Sequence, residues 1–89
     1  MANDLTFQFH LVTMVDVVVD EDVLGGEPRI NGTRVRVVDV VGFYEARDLS
    51  PEEISDKFDL ELEDVYAALV YYYENPKSIR QTLSKEVVA

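Results

Sequence analysis

The chain has 89 residues, a formal net charge of −10 at pH 7, 47% hydrophobic residues and no cysteine. This length predicts one domain, and the apolar content excludes the disorder that high charge alone would indicate. Disulfides and thiolate metal sites are excluded, and no apolar run reaches the roughly 18 residues of a membrane-spanning helix. Because no basic region precedes an apolar one at the N-terminus, we expect a cytoplasmic protein without membrane contact.

Acidic residues are spread along the whole chain, with 18 Asp and Glu against 8 Lys and Arg. Such a surface repels phosphate backbones at ordinary ionic strength. It would suit a salt-rich cytoplasm, because charges are screened within about 3 Å at 1 M salt. A halophilic adaptation and an ordinary acidic protein both remain open.

An alternating pattern predicts one long strand, or two short ones, from Leu5 to Asp20. The odd-numbered positions from Leu5 to Val19 are apolar except for Thr13. The other face of this strand also carries apolar residues, which must be buried against another part of the structure. A domain this small has few residues to spare for burying them. We therefore predict a homodimer, with burial by the chain's own helices as the alternative. The predicted dimer interface comprises Phe7, Phe9, Leu11, Val15, Tyr72 and Tyr73.

The pair Asn31-Gly32 predicts the turn of a β-hairpin, because both residue types tolerate a positive φ. Residues 33–37 then alternate, which places Arg34 and Arg36 on one face with Arg29 close across the turn. The hairpin is thus basic on one side of an acidic protein. We take it as the candidate site for a protein or nucleic-acid partner, with Arg29, Arg34 and Arg36 as contacts and Asn31, Gly32 and Thr33 shaping the turn.

Helical periodicity predicts helices at about residues 38–47, 51–58, 61–74 and 77–86. Ser50-Pro51-Glu52-Glu53 predicts a capping box with proline at the first helical position, and Asn75-Pro76 ends the third helix. Gly42, inside the first helix, is expected to mark the close approach of another backbone. The predicted apolar face of the third helix comprises Leu62, Val65, Tyr66, Leu69, Tyr72 and Tyr73.

These elements predict an α+β domain in which a strand and a β-hairpin precede a bundle of three to four helices with a helix-turn-helix-like core. We divide it into an N-terminal strand extension (1–15), a strand and hairpin (16–37) and a helical bundle (38–86).

Several short motifs occur in a characteristic order. They are the hairpin segment 25–35, Leu49-Ser50-Pro51-Glu52-Glu53-Ile54, Glu63-Asp64-Val65 and Ala67-Ala68-Leu69. Over about residues 16–72 the chain resembles the domain of unknown function 433 family. The resemblance implies a hairpin followed by a helix-turn-helix-like bundle, often dimeric, with an antitoxin-like or DNA-binding role. Members are similar to part of some VapB-type antitoxins, which cap PIN-domain ribonucleases. Glu27 and Glu61 depart from the usual lysine and threonine, and both add negative charge.

Three functions remain open. The first is a non-catalytic, antitoxin-like module of a toxin–antitoxin system, in which hairpin guanidinium groups enter the carboxylate cluster of a PIN-like toxin. The second is a dimeric transcriptional regulator. The helix that would enter the DNA major groove begins with Glu61, Glu63 and Asp64, whose charges repel phosphate. DNA contact would therefore have to come from the hairpin, and at high salt. The third is a structural homodimer without a ligand.

Catalysis is not expected. His10 is the sole histidine, and no cysteine is present to complete a set of nucleophile and base. The acidic triplet Asp20-Glu21-Asp22 lacks the spacing of a calcium loop and indicates a solvated turn. We therefore predict no enzyme activity, no cofactor, no metal and no small-molecule substrate.

Overall fold

The computed structural model describes residues 16–88. Two short strands, β1 (Val17–Val18) and β2 (Arg29–Ile30), form an antiparallel sheet in which Val17 pairs with Ile30. Four helices follow, namely α1 (Val37–Val41), α2 (Pro51–Phe58), α3 (Leu62–Glu74) and α4 (Pro76–Val88). The prediction of an α+β fold with a helical bundle is confirmed. Predicted strand residues 5–15 lie outside the described residues.

The predicted strand ends earlier than expected within the described residues. The Asp20 carboxylate accepts a hydrogen bond from the backbone N–H of Asp22 at 3.0 Å, and the Asp20 carbonyl accepts one from Val23 at 2.9 Å. This side-chain-assisted turn draws the chain away from the sheet. Val19 is 57% exposed as a result, so its prediction as part of a buried apolar face was wrong.

Helix α1 is short and almost completely buried. It begins where the Asp39 carboxylate accepts the backbone N–H of Arg36 at 2.9 Å, and a wider helical turn continues it through residues 42–46. The atom nearest to an added Cβ at Gly42 would be Cδ2 of Leu83, at the ordinary contact distance of 3.5 Å. The prediction that a backbone approaches Gly42 was therefore wrong, since a side chain of α4 approaches it.

The start of α2 confirms the predicted capping box. The backbone N–H of Glu53 donates to Ser50 Oγ at 3.1 Å, and the backbone N–H of Ser50 donates to Glu53 Oε1 at 2.9 Å. Asp59 ends α2 in the left-handed region, with a φ of 56°. Leu60 then turns back, where its carbonyl accepts the Ser55 hydroxyl at 2.5 Å. Helices α2 and α3 are thus joined by a short connection.

The core lies between α1, α3 and α4 and extends to β2. Its members are apolar side chains with at most 5% of their surface exposed: Ile30, Val37, Val38, Val40, Val41, Ile54, Val65, Ala68, Leu69, Tyr72 and Ile79. Both α1 and the sheet pack on α3, and the face that is buried includes Ala67 and Ala68. The predicted apolar face of α3 is only partly buried: Val65, Leu69 and Tyr72 lie in the core, whereas Leu62, Tyr66 and Tyr73 are exposed, because α3 turns its alanine side towards these neighbours.

No helix within residues 16–88 combines the length and the apolar character needed to cross a bilayer.

Candidate functional site

The turn of the hairpin is built differently from the predicted one. The Thr33 backbone N–H donates to the Ile30 carbonyl at 3.1 Å, and Gly32 has a φ of 80°. Asn31 has no positive φ, so the prediction of positive φ at both central residues was wrong. A positive φ at the third position alone is the pattern of a type II turn, which favours glycine there. The bend itself is present where the sequence predicts it.

The Thr33 hydroxyl fixes the shape of this turn. Its Oγ1 donates to the Ile30 carbonyl at 2.9 Å and accepts the backbone N–H of Val35 at 3.0 Å. The return arm makes one bridge with β2, between Arg29 and Arg36. Predicted alternation as far as Val37 does not occur, because Val37 already begins α1. Thr33 therefore has the predicted turn-shaping role.

The guanidinium of Arg36 is held within the chain. Its Nη2 contacts Asp39 Oδ1 at 2.9 Å, and its Nη1 and Nη2 contact the two Glu86 oxygens at 2.6 and 3.0 Å. Hydrogen bonds to Glu86, and then to Asp39, raise the pKa of Arg36 above its ordinary value. The side chain is only 24% exposed. The structure therefore contradicts the prediction that Arg36 is a partner contact, because both flanking carboxylates already occupy its donors.

Arg29 is also partly used inside the hairpin. Its Nη1 donates to the Thr33 carbonyl at 3.2 Å, and its buried Nε has no hydrogen-bond partner among residues 16–88. Arg29 and Asn31 line an open cleft of about 510 Å³ together with the acidic turn 20–22. Arg29 thus stabilises the turn and also lines the cleft.

Arg34 differs from the other two hairpin cations. It is exposed, and the ion pairs among the described side chains involve Arg36 and not Arg34. Asn31 and Gly32 are exposed beside it on the same turn. We call Asn31, Gly32 and Arg34 the turn surface. The predicted surface of three arginines is thereby reduced to a single outward cation on a fixed bend.

A second surface was predicted only in part, through Tyr73 of the expected dimer interface. Four apolar side chains of α3 are exposed, which we call the α3 stripe: Leu62 (38%), Tyr66 (47%), Val70 (54%) and Tyr73 (62%). The signal was present in the composition of α3, because 10 of its 13 residues are apolar or tyrosine. A single packed face of a helix cannot bury ten such residues. A helix that is apolar on almost every side needs more than one packing partner.

Tyr72 lies inside the chain and not on its surface. It is 1% exposed, its hydroxyl donates to the Glu45 carboxylate, and the same oxygen accepts Nε–H of Arg80 at 3.0 Å. The hydrogen bond to Glu45 is the main reason why the pKa of Tyr72 is raised. Tyr72 therefore does not fit its predicted place in a dimer interface, whereas Tyr73 is exposed. The other predicted interface residues, Phe7, Phe9, Leu11 and Val15, lie outside the described residues.

Catalytic groups do not converge in the part of the chain that the structure describes. Within residues 16–88, no three His, Cys, Asp or Glu side chains are arranged to hold a metal. Asp64 is the one carboxylate there whose pKa is raised, by burial and then by the charge of Asp16. This pair is near the entry of the chain into the sheet.

Comparison with known proteins agrees with this architecture. The chain is similar to the crystal structure of a DUF433 member protein from Anabaena variabilis, with a TM-score of 0.73 and 27% sequence identity. The similarity covers 91% of this chain and 80% of that chain. No curated protein matches the chain. The family model described as "Protein of unknown function (DUF433)" matches residues 17–72. The chain therefore belongs to the DUF433 family, and the resemblance noted in its motifs is confirmed.

Proposed function

We propose that this protein is a non-catalytic, antitoxin-like binding module of a toxin–antitoxin system and that the turn surface contacts its protein partner. The observation that carries the proposal is the position of Arg34. It is an exposed cation on a rigid turn of a protein whose formal net charge is −10. A planar guanidinium can bind a carboxylate pair through two hydrogen bonds, so a cluster of acids in a PIN-like nuclease is a chemically suitable target.

The rigidity of the turn supports this proposal. The Thr33 hydroxyl bridges Ile30 and Val35, and Gly32 adopts the positive φ that the bend requires. Arg34 is therefore presented from a backbone that need not be ordered on binding, which lowers the entropic cost of association. Arg36, which is engaged with two carboxylates, would contribute by fixing the base of the hairpin.

DNA binding is the weaker alternative. Helices α2 and α3 with their short connection have the outline of a helix-turn-helix, but Glu61, Glu63 and Asp64 lie at the start of α3. This is the end of a reading helix that would enter the major groove. Carboxylates there repel the phosphates that supply most non-specific affinity. A homodimer remains a prediction.

The test is a titration against a PIN-domain ribonuclease encoded beside this gene, with calorimetry and ribonuclease inhibition as readouts. We expect Arg34→Gln to weaken binding by about tenfold or more, as expected when one partner of a buried charge pair is removed. Lys77→Gln is the matched control, because Lys77 is an exposed cation on α4 and its loss changes the net charge equally. Equal effects of the two substitutions, or no binding by the wild-type protein, would refute the proposal.

If DNA were the partner instead, the wild-type protein would retard a fragment of its own promoter at molar KCl. Arg34→Ala would abolish that shift, and the ribonuclease would remain unbound. This pair of results would replace the antitoxin-like proposal with the regulator.

A further inference from the structure

The α3 stripe is the main exposed apolar surface of the described residues. Of the five large apolar side chains that are exposed there, four belong to it: Leu62, Tyr66, Val70 and Tyr73. With 3.6 residues per turn, they lie within an arc of about 80° and extend over roughly 16 Å of the helix. A contiguous apolar surface with polar borders is typical of a protein interaction site.

The border of this stripe is acidic. Glu61, Glu63 and Glu74 are exposed, and Glu63 and Glu74 lie within about 40° of the stripe on the helical wheel. The sequence contains no lysine or arginine between Lys57 and Lys77. On its own helix the stripe is therefore flanked along one side by negative charge alone.

We propose that the α3 stripe binds an amphipathic helix of a partner protein, with lysine or arginine residues beside the apolar face of that helix. Apolar side chains spaced by three and four residues suit packing against a second helix. Basic residues on the partner would face Glu63 and Glu74, which gives specificity and faster association. This surface is separate from the turn surface and does not depend on its function.

Charge also argues against a second copy of this chain as the occupant. Two copies packed antiparallel through α3 would bring their acidic borders together, and each copy carries a formal net charge of −10. Like charges placed against each other across an interface disfavour the wrong partner. A basic helix meets the same apolar side chains without this repulsion.

The experiment uses two fluorescent amphipathic peptides of about 18 residues with the same apolar face, one flanked by lysine and the other by glutamate. Binding to the full chain is measured by fluorescence anisotropy at moderate KCl. We expect the lysine-flanked peptide to bind more tightly. Val70→Lys should weaken its binding about tenfold, the effect of losing roughly one buried valine contact.

The chain offers two matched controls. Val19 is exposed to nearly the same extent as Val70, 57% against 54%, but lies beside the acidic turn 20–22. Val19→Lys should change binding less than about twofold. Glu63→Lys should weaken the lysine-flanked peptide about threefold, whereas Glu21→Lys, with the same change in charge, should leave it nearly unchanged. Circular dichroism of each variant verifies that the fold is kept.

Several results would overturn the proposal. The binding would be non-specific attraction by an acidic protein if both valine variants lost affinity equally, or if both glutamate variants did. The same conclusion would follow if the protein bound the two peptides equally well. A wild-type dimer in sedimentation equilibrium that Val70→Lys dissociates would assign the stripe to a second copy. A photo-cross-linker at position 66 that captures residues 1–15 of its own chain would assign it to that segment.

Discussion

The Arg36–Glu86 contact tests the view that one hairpin arginine stabilises the fold and does not bind a partner. Arg36 lies immediately before α1, and Glu86 lies 50 residues later in α4. The two hydrogen bonds of 2.6 and 3.0 Å therefore tie the end of α4 to the base of the hairpin. Replacing each residue by glutamine, singly and together, removes the charges and keeps most of the side-chain volume.

The size of the effect follows from the exposure of the two groups. Two unit charges about 4 Å apart attract by roughly 4 kcal/mol at an effective dielectric constant of about 20. The Arg36 and Glu86 side chains are 24% and 45% exposed. Screening by water and the entropic cost of ordering the Glu86 side chain therefore offset most of this attraction. Exposed pairs contribute about 0.2–1 kcal/mol. Because this contact has two short hydrogen bonds, we expect a coupling energy near the upper end, about 1 kcal/mol.

The assay is a double-mutant cycle from urea unfolding at low salt. The coupling should fall as KCl is added, because the screening length shortens to about 3 Å at 1 M salt. A parallel cycle between Arg36 and Glu74 is the control and should show no coupling, since Glu74 is an exposed acid on α3. A coupling below about 0.2 kcal/mol in the Arg36–Glu86 cycle would refute the argument and return Arg36 to the candidate binding surface.

Five other outcomes are expected. Ser50→Ala should lower the free energy of unfolding by about 1 kcal/mol in urea titrations; no loss would mean that the capping box contributes nothing. Hydrogen bonds from the Ser50 backbone N–H and then from its side chain lower the pKa of Glu53. The stabilisation is present above the unfolded pKa and is lost as the pH falls through the folded pKa, so Glu53→Gln should flatten this acid dependence, whereas Ser50→Ala, which keeps the backbone N–H, should reduce it only in part. Tyr72→Phe should cost about 0.5–1.5 kcal/mol in chemical denaturation, whereas Tyr66→Phe should cost almost nothing, and equal values would contradict the buried network. Gly42→Ala should raise the melting temperature by a few degrees, because its φ of −58° and ψ of −44° suit any residue and the gain of about 0.4–1 kcal/mol comes from the unfolded chain. The melting temperature should rise with KCl concentration if self-repulsion of the 18 acids limits stability, and an unchanged value between low and molar KCl would exclude a halophilic adaptation.

Local signals predicted the helices well. Ser50 and Glu53 exchange hydrogen bonds within one helical turn, and Asn75-Pro76 ends α3 through backbone sterics. Both effects involve residues only a few positions apart, so they can be recognised in the sequence. The predicted bend at Asn31-Gly32 is also local. Its turn type was missed, because the pair alone does not show that only Gly32 takes a positive φ while the Thr33 hydroxyl bonds Ile30 and Val35.

The candidate surfaces were predicted only in part. Arg34 was named correctly as a residue of the exposed hairpin, but the sequence could not separate it from Arg36, whose partner Glu86 lies 50 residues away. Leu62, Tyr66 and Tyr73 were predicted on one apolar face together with core residues, and Val70 was not singled out, because periodicity finds an apolar face without showing which arc of a helix its neighbours cover. That arc depends on where α1 and the sheet pack.

Composition and short-range patterns were enough to predict the α+β class, the positions of the helices, the tight bend and the acidic character of the protein, because each depends on neighbouring residues or on composition. Which cations form ion pairs and which apolar side chains remain exposed became visible only in the folded chain. Both depend on contacts between residues far apart in the chain: Glu86 engages Arg36, and α1 with the sheet covers the alanine side of α3 and leaves Val70 and its neighbours to solvent.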